Sequence, residues 1–249
     1  MNLPAGWIVP DWPAPERVRA FVTTRAGGMS AGEYASLNLG TKSGDDPARV
    51  AANRQAVQAH LPSLPCWLTQ VHGTAVANLD RAGEGESVVA DAAVTSVARR
   101  VAVVLTADCL PVFLCREDGS RIGVAHAGWR GLAAGVLENV VSSLGSDPSR
   151  VLAWLGPAIG PRAYEVGSEV REAFASSHGE AASAFASRGE EKHMADLYAL
   201  ARLRLAKAGV ESVSGGSFCT YTEQERFFSY RRERKSGRMG AFIWIDEGR

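Results

Sequence analysis

Between Thr106 and Gly131 the chain brings a thiol and an imidazole together. The stretch reads T-A-D-C-L-P-V-F-L-C, then R-E-D-G-S, then R-I-G-V-A-H-A-G-W-R-G. Two apolar runs flank Asp118-Gly119, a pair that favours the tight turn of a β-hairpin. A two-residue turn there sets His126 opposite Pro111. Cys109 then becomes the diagonal neighbour of His126 on the same face, roughly 7–8 Å away, which suits two ligands of one small ion. Asp108 falls on the opposite face. Cys115 shares the face of Cys109 but sits about 20 Å along the strand, too far to reach the same ion.

A third candidate is His72, in Q-V-H-G-T, where Gly73 permits close backbone approach. One thiolate and two imidazoles match zinc with one coordination position left open, the catalytic arrangement. Structural zinc is normally closed by a fourth protein ligand, often in C-x-x-C pairs, and none occurs here. His60, His178 and His193 lie at a helix end or in polar stretches and are expected to face solvent. Copper is disfavoured by counting. A multi-copper oxidase centre needs on the order of ten imidazoles with H-x-H pairs, and a single blue-copper site wants a nearby Met. The chain has five histidines and no such pair.

The segment after His126 carries Ala133, Val136, Leu137, Val140, Val141 and Leu144 at a helical period and stops at Gly145. One helix is expected, its N-terminus facing the thiol and imidazole and favouring an anion there. Trp129 is a candidate for stacking on a base or for core packing. The run from Arg226 to Arg238 is basic with interleaved aromatics and reads first as a solvated charged face. Cys219, in F-C-T-Y, reads first as a buried structural thiol. No Walker loop, G-x-G-x-x-G after a strand or G-x-S-x-G elbow is found.

To hold these residues the chain must build a mixed core. Its 249 residues are 46% hydrophobic and 22% charged, with Lys+Arg and Asp+Glu equal at 27 each. A packed core follows, without the basic excess of a nucleic-acid or anionic-membrane binder. There is no apolar stretch of signal-peptide or membrane-spanning kind. Four cysteines, far apart and in no knuckle spacing, read as thiols in a reducing cytoplasm. Strands are expected at Arg17–Thr24, Cys66–Leu79 with a break at Gln70–Thr74, Val88–Thr95, Val101–Leu105, Val151–Leu155, Val210–Tyr221 and Met239–Ile245. Helices are expected after Asp46-Pro47, with Asp46 as N-cap, around Gly167–Ser176, and from Leu197 to Gly209. Arg54 lies on or beside the apolar stripe of the first helix. Without strict βαβ alternation, the pattern implies a single α/β (α+β) domain over residues 1–249, mixed sheets with helices packed outside.

The motifs T-T-R-A-G-G, S-L-N-L-G, N-R, Q-V-H-G-T, T-A-D-C-L-P-V, A-H-A-G-W-R-G, G-P-A-I-G, Y-E-V-G around Glu165, F-C-T-Y, and F-F-S-Y-R-R with G-R-M together resemble the laccase-domain family over about residues 20–245. Its members are described as polyphenol oxidases, as zinc-dependent purine nucleoside phosphorylases with adenosine deaminase activity, and as peptidoglycan editing factors. The resemblance implies that His72, Cys109 and His126 bind zinc. It also implies that Asn38, Arg54, Arg130 and Cys219 line the substrate and phosphate pocket, and that the fold is sandwich-like. The leading expectation is phosphorolysis of adenosine or inosine, with Arg54 holding inorganic phosphate and the Cys109/His126 pair at the reacting centre. The alternatives are cleavage of amide bonds in peptidoglycan precursors, with Cys109 as nucleophile and His126 as base, copper-dependent polyphenol oxidation, and zinc that only braces the fold. The partners are then a purine nucleoside and phosphate, with no nucleic acid or membrane; no motif fixes an oligomeric state.

Overall fold

The computed structural model describes residues 3–81, 88–145, 147–175 and 179–247. His178 and Ser176 therefore lie outside the described residues. Along the chain run β1 (Val18–Val22), α1 (Pro47–Gln58), β2 (Pro65–Thr69), β3 (Val76–Asn78), β4 (Val88–Val89), β5 (Ala92–Thr95) and β6 (Val101–Thr106). The expected hairpin follows as β7 (Leu110–Arg116) and β8 (Ile122–Ala127), then α2 (Trp129–Ala134), α3 (Val136–Leu144) and β9 (Val151–Leu155). The remainder comprises β10 (Glu165–Gly167), α4 (Ser168–Ala175), β11 (Phe185–Ser187), β12 (Lys192–Ala195), α5 (Leu197–Lys207), β13 (Ser212–Gly215), α6 (Tyr230–Glu233) and β14 (Met239–Ile245).

Two mixed sheets stack face to face. One has the order β1-β14-β6-β2-β4 and the other β13-β9-β7-β8-β5-β3, while β10-β12-β11 form a small antiparallel sheet to one side. Strand alternation explains the layers, because successive side chains leave a strand on opposite faces. Ala102 and Val104 of β6 join Phe113 and Cys115 of β7 and Ile122 and Val124 of β8 between the two sheets. Val101 and Val103 of β6 point the other way, with Phe21, Phe242, Trp244 and Val57 of α1. Val112, Leu114 and Ala125 face the far side, where Val140 and Leu144 of α3 and Leu200 and Leu205 of α5 cover them. The order through the molecule is thus α1, sheet, sheet, helices.

Local expectations mostly hold. The Asp46 side chain accepts the Ala48 N–H at 2.9 Å, with Pro47 opening α1. β6 is the middle strand of its sheet. The hairpin register sets Pro111 opposite His126. Three points differ. The helix after His126 is two helices, because Gly135 takes φ 101 and caps α2 before α3 begins. Apolar spacing continues across that break, so periodicity alone does not reveal it. Val210–Tyr221 shortens to β13, since Gly215 and Gly216 turn into positive φ. Val88–Thr95 splits into β4 and β5 around Ala90-Asp91. Among the described residues, no helix is long and apolar enough to cross a membrane.

Candidate active site

The site lies at one end of the sandwich, where β2 and β6 run out at Thr69 and Thr106 and β8 closes at Ala127. His72 stands three residues beyond β2, Cys109 three beyond β6, and His126 within the last residues of β8. The alternation that sends Val124 between the sheets sends His126 there too, so the imidazole emerges at the rim of the inter-sheet core. The ligand atoms of His72, Cys109 and His126 lie within 4.8 Å of one another. Cys109 Sγ is 3.8 Å from His72 Nε2, and the two imidazole rings meet edge to face at 4.8 Å.

A residue that motif reading passed over organises both histidines. Asp91 is fully buried, and one of its carboxylate oxygens is 2.8 Å from His126 Nδ1. That contact fixes the imidazole and directs its Nε2 outward, the usual support for a metal-bound histidine. The same carboxylate accepts the backbone N–H groups of Val71, His72 and Gly73 at 3.0, 2.9 and 2.7 Å. His72 has φ 60, a conformation costly for a side-chain-bearing residue, and those three bonds hold it there. Burial opposes the charge on Asp91, but hydrogen bonds from His126, Gly73 and Val71 outweigh it and keep the carboxyl below the usual range.

Cys109 is positioned by its neighbour. Asp108 takes φ 88 in the bend between β6 and β7, with its carboxylate turned away from the thiol. There it accepts Thr220 Oγ1–H at 2.6 Å and the Arg231 backbone N–H at 2.7 Å. Burial resists ionisation of Cys109, yet His126 and then His72 pull the thiol down to about 6. Burial likewise resists protonation of His126, which Cys109 and Asp91 outweigh, raising it to about 9. Without a metal the pair is therefore thiolate and imidazolium around neutral pH.

Two glycines of A-H-A-G-W-R-G are required by close approach. A Cβ on Gly128 would come 2.9 Å from His72 Cδ2 and 3.0 Å from Cys109 Sγ, and one on Gly131 would sit 2.7 Å from the Gly73 carbonyl oxygen.

All three candidate ligands open onto a cavity of about 820 Å³. Its wall also carries Lys42, Arg54 and Arg238, and no carboxylate pairs with any of these among the described residues. Arg54 explains its place on the stripe of α1: its guanidinium lies 3.6 Å from the centre of the Trp67 ring, while Nε–H donates to the Leu39 carbonyl at 2.9 Å. Burial lowers its pKa to about 10, so it keeps its charge at neutral pH. Arg238 donates to the carbonyls of Ser236 and Gly237 at 2.7 and 2.9 Å.

Asn38, Arg130 and Cys219 are not on this wall. Asn38 is buried behind it, accepting the Gly40 and Arg238 backbone N–H groups and donating to Ser43 and Asp45. Arg130 is exposed and stacks on Trp129, whose ring packs against the helical core rather than into the cavity. Cys219 accepts the Gly160 N–H at 3.3 Å. His60 rests edge-on against Trp7, and His193 against Phe185, so both are half-buried rather than solvent-facing. The basic run is also more than a solvated face: Arg232 donates to the carbonyls of Thr220, Tyr221 and Phe227.

The family model described as multi-copper polyphenol oxidoreductase laccase matches residues 19–246. The chain belongs to this family. It is 54% identical over 241 residues to purine nucleoside phosphorylase YfiH of Escherichia coli K12, covering 96% of this chain and 98% of that protein. Purine nucleoside phosphorylase PA4543 of Pseudomonas aeruginosa is 50% identical over 242 residues, 97% of this chain and 99% of the relative. Among solved structures, NMB0706 of Neisseria meningitidis superposes with a TM-score of 0.93 at 48% identity, covering 97% and 100% of the two chains. YlmD of Geobacillus stearothermophilus superposes with a TM-score of 0.91 at 32% identity, covering 99% and 98%. In this laccase-family chain, His72, Cys109 and His126 are a group of residues that can hold a metal ion.

Proposed function

We propose that the chain is a zinc-dependent purine nucleoside phosphorylase, converting adenosine or inosine and phosphate to the free base and ribose 1-phosphate. The supporting observation is a His–Cys–His trio opening onto a cavity whose wall carries three cations with no carboxylate partner among the described residues. The names of the relatives point the same way. One thiolate and two imidazoles suit zinc, and the family's description notwithstanding, the trio has no methionine near it in sequence to make a blue-copper set.

When bound, zinc supplies Lewis acidity that polarises a substrate oxygen or lowers the pKa of water toward neutrality. His72, Cys109 and His126 would hold it, with Asp91 orienting His126. Arg54, with Arg238 and Lys42, binds phosphate, matching its charge with donors that are fixed before substrate arrives. A phosphate oxygen bonds to ribose C1′ as the bond from C1′ to the purine nitrogen breaks. The electron pair leaves with the base, which takes up a proton. Phosphate held by Arg54 places negative charge next to the positive charge growing on the sugar. The same site suits deamination of adenosine, in which a water oxygen bonds to C6 as the C6–N bond breaks and the amino group leaves as ammonia. A cytoplasmic location fits the four free cysteines.

Incubation of zinc-loaded protein with inosine and phosphate, followed by chromatography, should yield hypoxanthine and ribose 1-phosphate; absence of both contradicts the proposal. The lowered Cys109 thiol favours one second reading, an amide hydrolase acting on peptidoglycan precursors with Cys109 as nucleophile and His126 as base. That chemistry survives chelation of metal, whereas phosphorolysis through a zinc site is lost.

A further inference from the structure

Among the described residues, the cavity wall carries two aromatic rings besides the imidazoles, Trp67 and Tyr230. Trp67 is already occupied. The Arg54 guanidinium covers one face at 3.6 Å and the Phe242 ring meets it edge-on, with centroids 5.9 Å apart. Tyr230 is different: it is 49% exposed although it stands on the wall of a cavity. The Arg238 guanidinium lies over its ring at 5.8 Å from the ring centre.

The backbone beneath this ring is fixed to Asp108, the residue before Cys109. Ser229 caps α6 by accepting the Arg232 N–H at 3.2 Å. The Arg231 N–H donates to one Asp108 oxygen at 2.7 Å, and the other accepts Thr220 Oγ1–H at 2.6 Å. Asp108 directly precedes Cys109. A solvated ring is thus tied, through one carboxylate, to the residue beside a candidate metal ligand.

We propose that Tyr230 is the platform on which the purine ring stacks, setting the base at a fixed distance from the trio. An aromatic face binds any planar heterocycle and loses little conformational freedom in doing so. It therefore recognises the base and not the sugar or the phosphate. The assignment rests on the phosphorolase reading for the nature of the ligand, a purine nucleoside, and replaces Trp129, which packs away from the cavity.

The test is calorimetric titration of zinc-loaded protein with inosine in the absence of phosphate, alongside a separate titration with inorganic phosphate. Tyr230→Ala should weaken inosine binding about tenfold while phosphate affinity and zinc content stay at wild-type levels. Tyr230→Phe, which keeps the ring, should restore most of the inosine affinity. Unchanged inosine affinity in Tyr230→Ala overturns the proposal, as does a joint loss of inosine, phosphate and zinc, which marks a structural role. Wild-type protein that binds inosine through Tyr230 but releases no hypoxanthine when phosphate is added leaves the stack standing and removes phosphorolysis. Wild-type protein that binds no inosine overturns both.

Discussion

Asp91 ties the two candidate histidine ligands together, one through its ring and the other through its backbone. Asp91→Asn keeps the shape but presents only one acceptor oxygen to four donors. Zinc affinity should fall about 10- to 100-fold, as competition with a chromophoric chelator would show. Gly128→Ala pushes a methyl group to 2.9 Å from His72 and 3.0 Å from Cys109, so it should cost zinc content at least as heavily; a fully loaded variant would contradict the packing described. The pH dependence has a definite sign. Zinc needs the thiolate and a neutral imidazole, and in the metal-free protein His126 holds its proton up to about 9 while Cys109 has lost its own above about 6. Between pH 7 and 8.5, binding must displace the His126 proton, so affinity should rise about tenfold per pH unit. An affinity flat across that window would show the imidazolium to be absent. At this scale the face of His126 was legible, because alternation and a turn pair fix it, whereas Cys109 sits in the bend between β6 and β7, where alternation does not reach. Asp91 was not legible, since its partner amides at Val71, His72 and Gly73 come from a different segment and nothing local marks a lone Asp between Ala90 and Ala92.

Elements matter here chiefly as holders of loops. The β7–β8 hairpin carries one ligand and introduces another, while α1 delivers Arg54 to the cavity from the opposite layer. Between them Asn38 holds the Gly40 and Arg238 backbones. Asn38→Ala leaves those buried donors without acceptors and should destabilise the fold by about 1–3 kcal/mol, measured by chemical denaturation. Its second effect should be a raised KM for phosphate with zinc content intact, because Arg238 loses its anchor. Equal phosphate kinetics in the variant would detach Arg238 from the anion. The hairpin and α1 could be read from turn chemistry, an N-cap and Pro at the first turn. The break at Gly135 could not, as the apolar period runs through it. Nor could the part played by the Arg226–Arg238 run, whose arginines bind carbonyls that only the folded chain brings near.

Across the whole molecule, the three candidate ligands come from separate strand ends, yet a core on both faces of each large sheet already holds those ends in place. Metal should therefore stabilise the fold without being needed for it. Zinc at 100 times its dissociation constant adds about 2.7 kcal/mol, seen as a higher Tm, and the chelated protein should still melt cooperatively at a lower temperature. Loss of the folded state on chelation would instead make zinc a structural brace. The layered α/β architecture was legible as a class, because strands and helices mix without βαβ order. The stacking of two sheets was legible only through the family resemblance and not from the strand pattern, since it depends on pairings such as β1 with β14 that join distant parts of the chain.

X-ray absorption at the zinc edge of the loaded protein tests the central claim most directly. One sulfur at about 2.3 Å with nitrogens at about 2.0 Å and a light, exchangeable fourth neighbour is the predicted shell. A second sulfur, or four ligands all supplied by the chain, would close the face on which the chemistry depends and contradict the account.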